Sequence, residues 1–175
     1  TDAAGNTDIF TDVVIATHAD QAIGLLTDAD HEERELLGAF RYTDNEAVLH
    51  SDENLMPKRK RVWSSWNYIG ESRVEDAQTL CVTYWMNRLQ NLPPHDPLFV
   101  TLNPGRPIPD ALVYDQNEFR HPVFDLGALR AQREIHTIQG VRRTWFAGAW
   151  QRNGFHEDGI ASALRVARAM GLAAW

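Results

Sequence analysis

The stretch that decides the fold runs Thr144-Trp-Phe-Ala-Gly148 and then, past a short connection, Gly154-Phe-His-Glu-Asp-Gly-Ile160. The first part is a short apolar run, which predicts a buried strand that ends at a glycine. The second part leads into a helix predicted from Glu157 to Met170, because its apolar residues recur at helical spacing and Gly171 can end it. A buried strand that feeds a helix through a short loop indicates an α/β unit.

This strand–loop–helix has two interpretations. Gly148 carries no side chain, so a ligand could approach the backbone there, beyond the carboxyl end of the strand. Free N–H groups at Asp158, Gly159 and Ile160 in the first turn of the helix could then hold an anion or a carbonyl oxygen. In the simpler interpretation the glycines only let the chain bend, and the spacing alone favours it.

The other predicted elements flank a β-rich middle. A strand at Asp12–Thr17 and helices at Ala19–Leu26 and Asp30–Phe40 come first, with Asp30 as the helix cap. Four β-rich runs follow at Asn45–His50, Val62–Ile69, Leu80–Asn87 and Leu98–Leu102, and a helix is predicted over Phe124–Ile138. The sequence therefore predicts an α+β fold, in which an antiparallel β-meander flanked by helices interrupts an outer α/β part.

Composition excludes several classes of protein. The 175 residues carry a formal net charge of −7, which argues against a nucleic-acid partner, since binding phosphates needs a basic surface. No apolar run is long enough for a transmembrane segment. The single cysteine, Cys81, cannot form an internal disulfide, so we expect a reducing compartment, the cytoplasm, and a packed side chain.

No metal site is expected. His31-Glu-Glu-Arg-Glu35 lacks the second histidine of a zinc-protease helix, and charges at a helix start explain it better. The adjacent residues His156, Glu157 and Asp158 point in different directions on a helix and do not converge on one ion. The basic run Pro57-Lys-Arg-Lys-Arg-Val62 matches a nuclear-localisation pattern or a phosphate-binding patch, but it is interpreted as a solvated turn. A surface for an anionic substrate or a lipid head group is the weaker alternative.

The segment from Arg143 to Gly171, with WFAG followed by GFHEDGIASALRVARAMG, resembles the carboxyl-terminal flavin segment of the FAD-dependent amine oxidase and phytoene desaturase superfamily. The sequence departs from that family at Ala149, where an acidic residue is common, and at Asp158, where many members have glycine. The resemblance implies that FAD is the cofactor and that ten residues bind it: Ala16, Thr17, Gly148, Ala149, Gly154, His156, Glu157, Asp158, Gly159 and Ile160.

Other segments extend the resemblance over nearly the whole chain. Asp12-Val-Val-Ile-Ala-Thr-His-Ala-Asp20 is similar to the strand by which family members leave the dinucleotide domain. With the runs at 47–57 and 82–90, the chain resembles a bacterial branch described as predicted NAD/FAD-binding proteins. The resemblance implies a strand leaving the FAD-binding domain in 1–18, a substrate-binding domain in 19–140, and the returning FAD-binding strand and helix in 141–175.

The resemblance also implies a function and a missing part. The aromatic residues of the middle most often form a core, but in this family they commonly wall the substrate cavity, with Trp66, Tyr68 and Tyr84 as the candidates. None of the 11 glycines forms the G-x-G-x-x-G motif that binds the ADP half of FAD, so we expect the Rossmann part before Thr1 and weak or absent FAD binding here.

In the intact protein, flavin would accept a hydride or electrons from an apolar or amine substrate. No acid–base pair or nucleophile stands out, and no catalytic residue is assigned. The alternative is a non-catalytic binding or assembly domain with an aromatic-rich sheet.

Overall fold

The computed structural model describes residues 4–69 and 81–172, and its mixed helices and strands confirm the α+β class. The strands are β1 (Val13–Ile15), β2 (Arg41–His50), β3 (Trp66–Ile69), β4 (Cys81–Trp85), β5 (Phe99–Leu102), β6 (Val113–Val123) and β7 (Thr144–Phe146). The helices are α1 (Ala19–Leu25), α2 (His31–Gly38), α3 (Met86–Leu89), α4 (Leu126–Glu134) and α5 (His156–Ala169).

The chain divides into two compact units. The outer unit consists of Thr1–Thr43 with Pro122–Trp175, and the inner unit is Asp44–His121. The inner unit is thus shorter than the 19–140 segment that the resemblance marks as the middle domain. The reason is that helices α1, α2 and α4 place their apolar faces in one buried cluster with β1 and β7.

The outer unit is built around the parallel pair β1–β7. Val13 pairs with Thr144 and Ile15 with Phe146, although these strands lie at opposite ends of the sequence. Helices α2 and α4 start at side-chain caps, because Asp30 accepts a hydrogen bond from Glu33 N (2.9 Å) and Asp125 accepts one from Ala128 N (2.9 Å). The cap that the sequence predicts at Asp30 is therefore confirmed.

The inner unit is a five-stranded antiparallel sheet in the order β3-β4-β5-β2-β6. The predicted meander is right for β3, β4 and β5, but β2 lies between β5 and β6 rather than beside β3. Strand β4 ends at Trp85, two residues before its predicted end, because the chain turns into the short helix α3. There the Asn87 amide holds the following loop by donating to Pro93 O and Asp96 O (both 2.7 Å). Leu80 lies outside the described residues.

An ion pair between a buried carboxylate and a partly exposed arginine joins two segments of the outer unit. Glu33 of α2 is fully buried, and its Oε2 atom accepts from Asp30 N (2.8 Å) and pairs with the Arg142 guanidinium. Arg142 also donates to Asp28 O (3.0 Å), so it ties the turn before β7 to the start of α2. Arg142 has a left-handed backbone (φ +50°), which costs about 1 kcal/mol in a residue with a side chain.

We expect Glu33→Ala to lower the free energy of unfolding by about 2–3 kcal/mol. The substitution removes the bond from Asp30 N to the Glu33 carboxylate and the pairing of Arg142, whose partial exposure lets water replace some of the loss. Urea denaturation followed by circular dichroism measures the change. The control is Glu35→Ala on the same helix, an exposed residue paired with His31, which should change stability by less than about 0.5 kcal/mol. Equal changes in both variants would contradict the importance of the buried pair.

Candidate functional site

The carboxyl ends of β1 and β7 meet in the outer unit. Ala147 N donates to Ile15 O (3.0 Å), and the Trp150 indole donates from Nε1 to Thr17 O (3.0 Å). Ala16 and Thr17 directly follow β1, as Gly148 and Ala149 follow Ala147 after β7. The structure therefore brings together the strand-end residues that the sequence predicts as one site.

The start of α5 packs against the same strand end. Gly148 N donates to the Ser162 hydroxyl (2.8 Å), and that hydroxyl donates to Gly159 O (2.6 Å). Gly154 N donates to Ala149 O (3.2 Å), which closes the loop between the strand and the helix. Ser162 is fully buried and was not predicted as part of the site. Its only signal in the sequence is a small polar residue on the apolar face of a helix.

The free backbone donors lie earlier in α5 than the sequence predicts. Asp158 N and Gly159 N both donate to Phe155 O (3.0 and 3.2 Å), and Ile160 is further inside the helix. The prediction of free N–H groups at these three residues is therefore wrong, because the helix begins at His156. Within the described part of the chain, the N–H groups that have no acceptor in this turn are those of His156 and Glu157.

The space beside Gly148 is filled by the protein itself. A Cβ atom at this position would lie 2.2 Å from Trp150 Nε1 and 2.5 Å from its Cδ1. Trp150 is buried and packs edge-on against Phe40, with ring centroids 4.6 Å apart. The absence of a side chain at Gly148 therefore makes room for the Trp150 indole. The space that the sequence analysis expected for a ligand at Gly148 is already filled.

The other two site glycines differ: Gly154 needs its left-handed backbone (φ +88°), and a Cβ at Gly159 would make only ordinary contact with Ala149 (3.9 Å).

The acidic residues of the first turn have different surroundings. Asp158 is buried, and its Oδ2 atom accepts from Asn153 N (3.2 Å) and Phe155 N (3.1 Å), so it braces the loop. Glu157 is exposed, as are His156 and Ile160. The Glu157 carboxylate complements the positive end of the helix but repels an anion there. The free N–H groups of this turn therefore suit a neutral carbonyl oxygen better than a phosphate.

These observations test the fit of a flavin. The isoalloxazine ring of flavin carries carbonyl oxygens, and the two free N–H groups of a 14-residue helix are suitable donors for one of them. Gly159 leaves room at its Cα atom on that turn. Gly148 and Asp158 serve the fold instead. The flavin fit thus depends on His156, Glu157 and Gly159, and Thr17 contributes only a carbonyl already bound to Trp150.

In the inner unit, the three predicted cavity residues share one face of the sheet. Trp66 pairs with Tyr84 across β3 and β4, with ring centroids 6.2 Å apart, and Tyr68 pairs with Val82. Trp66 is 50% exposed and Tyr68 is 67% exposed. Burial, reinforced by the Tyr68 phenol, raises the pKa of Tyr84. The structure thus brings these aromatic residues together on a half-open face, while Trp63 and Trp85 pack with Phe99 in a buried cluster.

The opposite face of this sheet carries a buried polar chain that the sequence analysis missed. His50 Nδ1 accepts from Asp52 N (3.0 Å), so the ring proton resides on Nε2 and is donated to the Thr101 hydroxyl (2.7 Å). Thr83 donates to Leu55 O (3.1 Å) and therefore accepts from Thr101 (2.9 Å). Both ring nitrogens of His50 and the hydroxyls of Thr83 and Thr101 thus have hydrogen-bond partners within the protein. This series of hydrogen bonds is therefore a structural element rather than a second site. Desolvation lowers the pKa of His50, although the Asp52 carboxylate opposes this shift.

Comparison with known proteins adds no assignment. No family model matches the chain, and no curated protein matches it either. Among the described residues, no group of three or more His, Cys, Asp or Glu side chains is placed to hold a metal ion. In the same ranges, none of the helices combines the length and the apolar character needed to cross a membrane.

Proposed function

We propose that this chain is the carboxyl-terminal part of an FAD-dependent oxidoreductase. The observation that carries the proposal is the parallel pairing of β1 with β7, which joins residues 13–15 to residues 144–146, although a second compact unit lies between them in the sequence. An α/β domain interrupted by a second unit is the arrangement that the resemblance to flavin amine oxidases and desaturases implies. Helix α5 then follows β7, as the flavin segment requires.

The exposure of β1 supports the presence of further strands. Parallel sheets normally have helices over both faces, and an isolated two-stranded sheet is marginal. Here Val13 and Val14 are 45% and 47% exposed, although both are residues typical of a buried strand. The Rossmann part of the same protein, carrying G-x-G-x-x-G, would extend this sheet and bind the ADP half of FAD.

The residues of this chain would have limited roles in the reaction. Bound flavin supplies the hydride- or electron-accepting chemistry. The His156 and Glu157 N–H groups would donate to a ring carbonyl of the flavin. In the inner unit, the face formed by Trp66, Tyr68 and Tyr84 would contact an apolar or amine substrate.

Flavin content of the longer gene product tests this proposal. We expect that product to purify with stoichiometric flavin, whereas the 175-residue chain alone binds little or none. In the longer product, Gly159→Leu should lower flavin occupancy by about tenfold or more, because a bulky side chain would then project from the turn that carries the two free N–H groups. Ala169→Leu, at the exposed end of the same helix, is the matched control and should retain flavin. Full occupancy in Gly159→Leu, or stoichiometric flavin on the short chain, would overturn the proposal.

A non-catalytic binding or assembly domain is the second candidate. The exposed rings of Trp66 and Tyr68 favour it, because exposed aromatic residues on a sheet face are typical of a contact surface. A longer gene product that purifies without flavin and gains none on incubation with FAD would support this candidate.

A further inference from the structure

The inner unit contains a cleft of about 670 Å³ beside strand β3. This volume lies in the range of small-molecule sites. Lys58, Lys60 and Arg106 line it together with one carboxylate, Glu53. Three cations against one anion make the cleft basic in a chain whose net charge is −7, and a concave basic surface concentrates anions.

Only two of these cations are available to a ligand. Lys60 Nζ lies 2.7 Å from a Glu53 carboxylate oxygen and 5.1 Å from the centre of the Trp63 ring, so it is already committed. Lys58 and Arg106 form no ion pair within residues 4–69 and 81–172. Arginine can bind a carboxylate or a phosphate with two parallel hydrogen bonds, and lysine adds a point charge.

The rest of the cleft provides an uncharged wall. Met56, Pro57, Ile69 and the ring of Tyr68 contribute to the lining. Tyr68 is 67% exposed, so a bound molecule can cover its ring without displacing other side chains. The basic run at 57–62 is therefore more than a solvated turn: Lys58 and Lys60 line the cleft, whereas Arg59 and Arg61 are exposed outside it.

We propose that this cleft binds a small organic anion. Lys58 and Arg106 hold its carboxylate or phosphate, and Tyr68 contacts its uncharged body. Two cations without an ion-pair partner in one cleft suit one anionic group and not a polyanion, since a nucleic acid is held by a row of phosphate contacts. This inference does not depend on the flavin proposal, because the cleft and its cations are observed in the inner unit without reference to a flavin; Tyr68 is the one residue that both proposals use.

Calorimetric titration of the 175-residue chain with small probes tests the proposal. Phenyl phosphate and benzoate are the two anionic probes, and comparing them distinguishes a phosphate from a carboxylate ligand. Benzyl alcohol is the neutral control of similar size. Inorganic phosphate is the control that carries the anionic group without an aromatic ring. We expect at least one of the anionic aryl probes to bind about tenfold more tightly than benzyl alcohol and to weaken as salt is raised. Inorganic phosphate should bind more weakly than phenyl phosphate.

Single substitutions test whether the anionic probe binds in this cleft. Arg106→Gln and Lys58→Gln should each lower the affinity for the tighter-binding anionic probe by about fivefold or more. Arg59→Gln, the same kind of change outside the cleft, should change this affinity by less than about twofold. Tyr68→Ala should weaken phenyl phosphate more than inorganic phosphate. These residues are largely on the surface, and unchanged thermal midpoints verify that the variants fold. Equal binding of benzyl alcohol, an equal loss in Arg59→Gln, or failure of both anionic probes to bind at millimolar concentration would overturn the proposal.

Discussion

Replacing Gly148 with alanine is expected to lower the free energy of unfolding by about 2–3 kcal/mol. The added Cβ would lie 2.2 Å from Trp150 Nε1, far inside van der Waals contact. Trp150 is buried against Phe40 and donates to Thr17 O, so its ring cannot move without losing both contacts. The backbone at Gly148 is extended (φ 163°), and the loss therefore comes from overpacking and not from the dihedral angle.

Gly159→Ala is the matched control in the same segment. Its Cβ would meet only Ala149 at 3.9 Å, and alanine in a helix is favoured over glycine by about 0.5–1 kcal/mol. Urea denaturation should therefore move the two variants in opposite directions. If Gly148→Ala were as stable as the wild type, the indole would have to be free to shift, contrary to its burial.

Gly148 and Gly159 differ in whether they support the flavin proposal. A glycine after a strand is required for close approach of a cofactor, but Gly148 is required by Trp150 whether or not a cofactor binds. Its presence therefore does not favour the flavin proposal. Gly159 does, because a Cβ there would make only ordinary contact with Ala149, and His156 and Glu157 in the same turn have free N–H groups. The residues that discriminate between the two proposed functions are thus on α5.

Apolar periodicity predicted the elements whose side chains are buried. Strand β7 and helix α5 lie within two residues of their predicted ends, since each has a clear apolar face. Strand β6 was not predicted, because most of its residues Val113–Val123 are polar and exposed and its few apolar residues do not alternate with them regularly. Its formation depends on pairing in the sheet, which no local pattern encodes. The position of β2 between β5 and β6 is hidden from the sequence for the same reason.

The candidate site was predictable in position but not in detail. The sequence placed the strand end and the helix start together, and the structure does so as well. The sequence could not show that the Asp158 side chain accepts hydrogen bonds from Asn153 N and Phe155 N, which sets where the helix begins. Likewise, a run of four cations cannot reveal which of them face a cleft, since that depends on the path of a short turn and on Arg106 from a distant loop.

Replacing His50 with alanine is expected to lower the stability of the inner unit by about 3–4 kcal/mol, among the largest effects in this chain. The imidazole is fully buried, and its removal leaves a cavity and a buried Asp52 N–H without an acceptor, while the Thr101 hydroxyl loses its donor and keeps only its bond to Thr83. His50→Asn should be milder, because the amide oxygen can occupy the place of Nδ1 and accept from Asp52 N. Chemical denaturation of the three proteins, followed by tryptophan fluorescence, measures this order.

The same residue should make stability depend on pH. Desolvation lowers the pKa of His50 in the folded chain, whereas the unfolded residue titrates near its ordinary value of about 6.5. Below that pH the unfolded state binds a proton that the folded state does not, so stability is full above pH ~6.5 and falls as the pH decreases towards the folded pKa. His50→Asn should remove this part of the slope, and His121→Asn, at an exposed histidine of the same unit, should leave it unchanged. An identical slope in all three proteins would show that His50 is not the neutral, internally bonded ring that the Asp52 N–H requires.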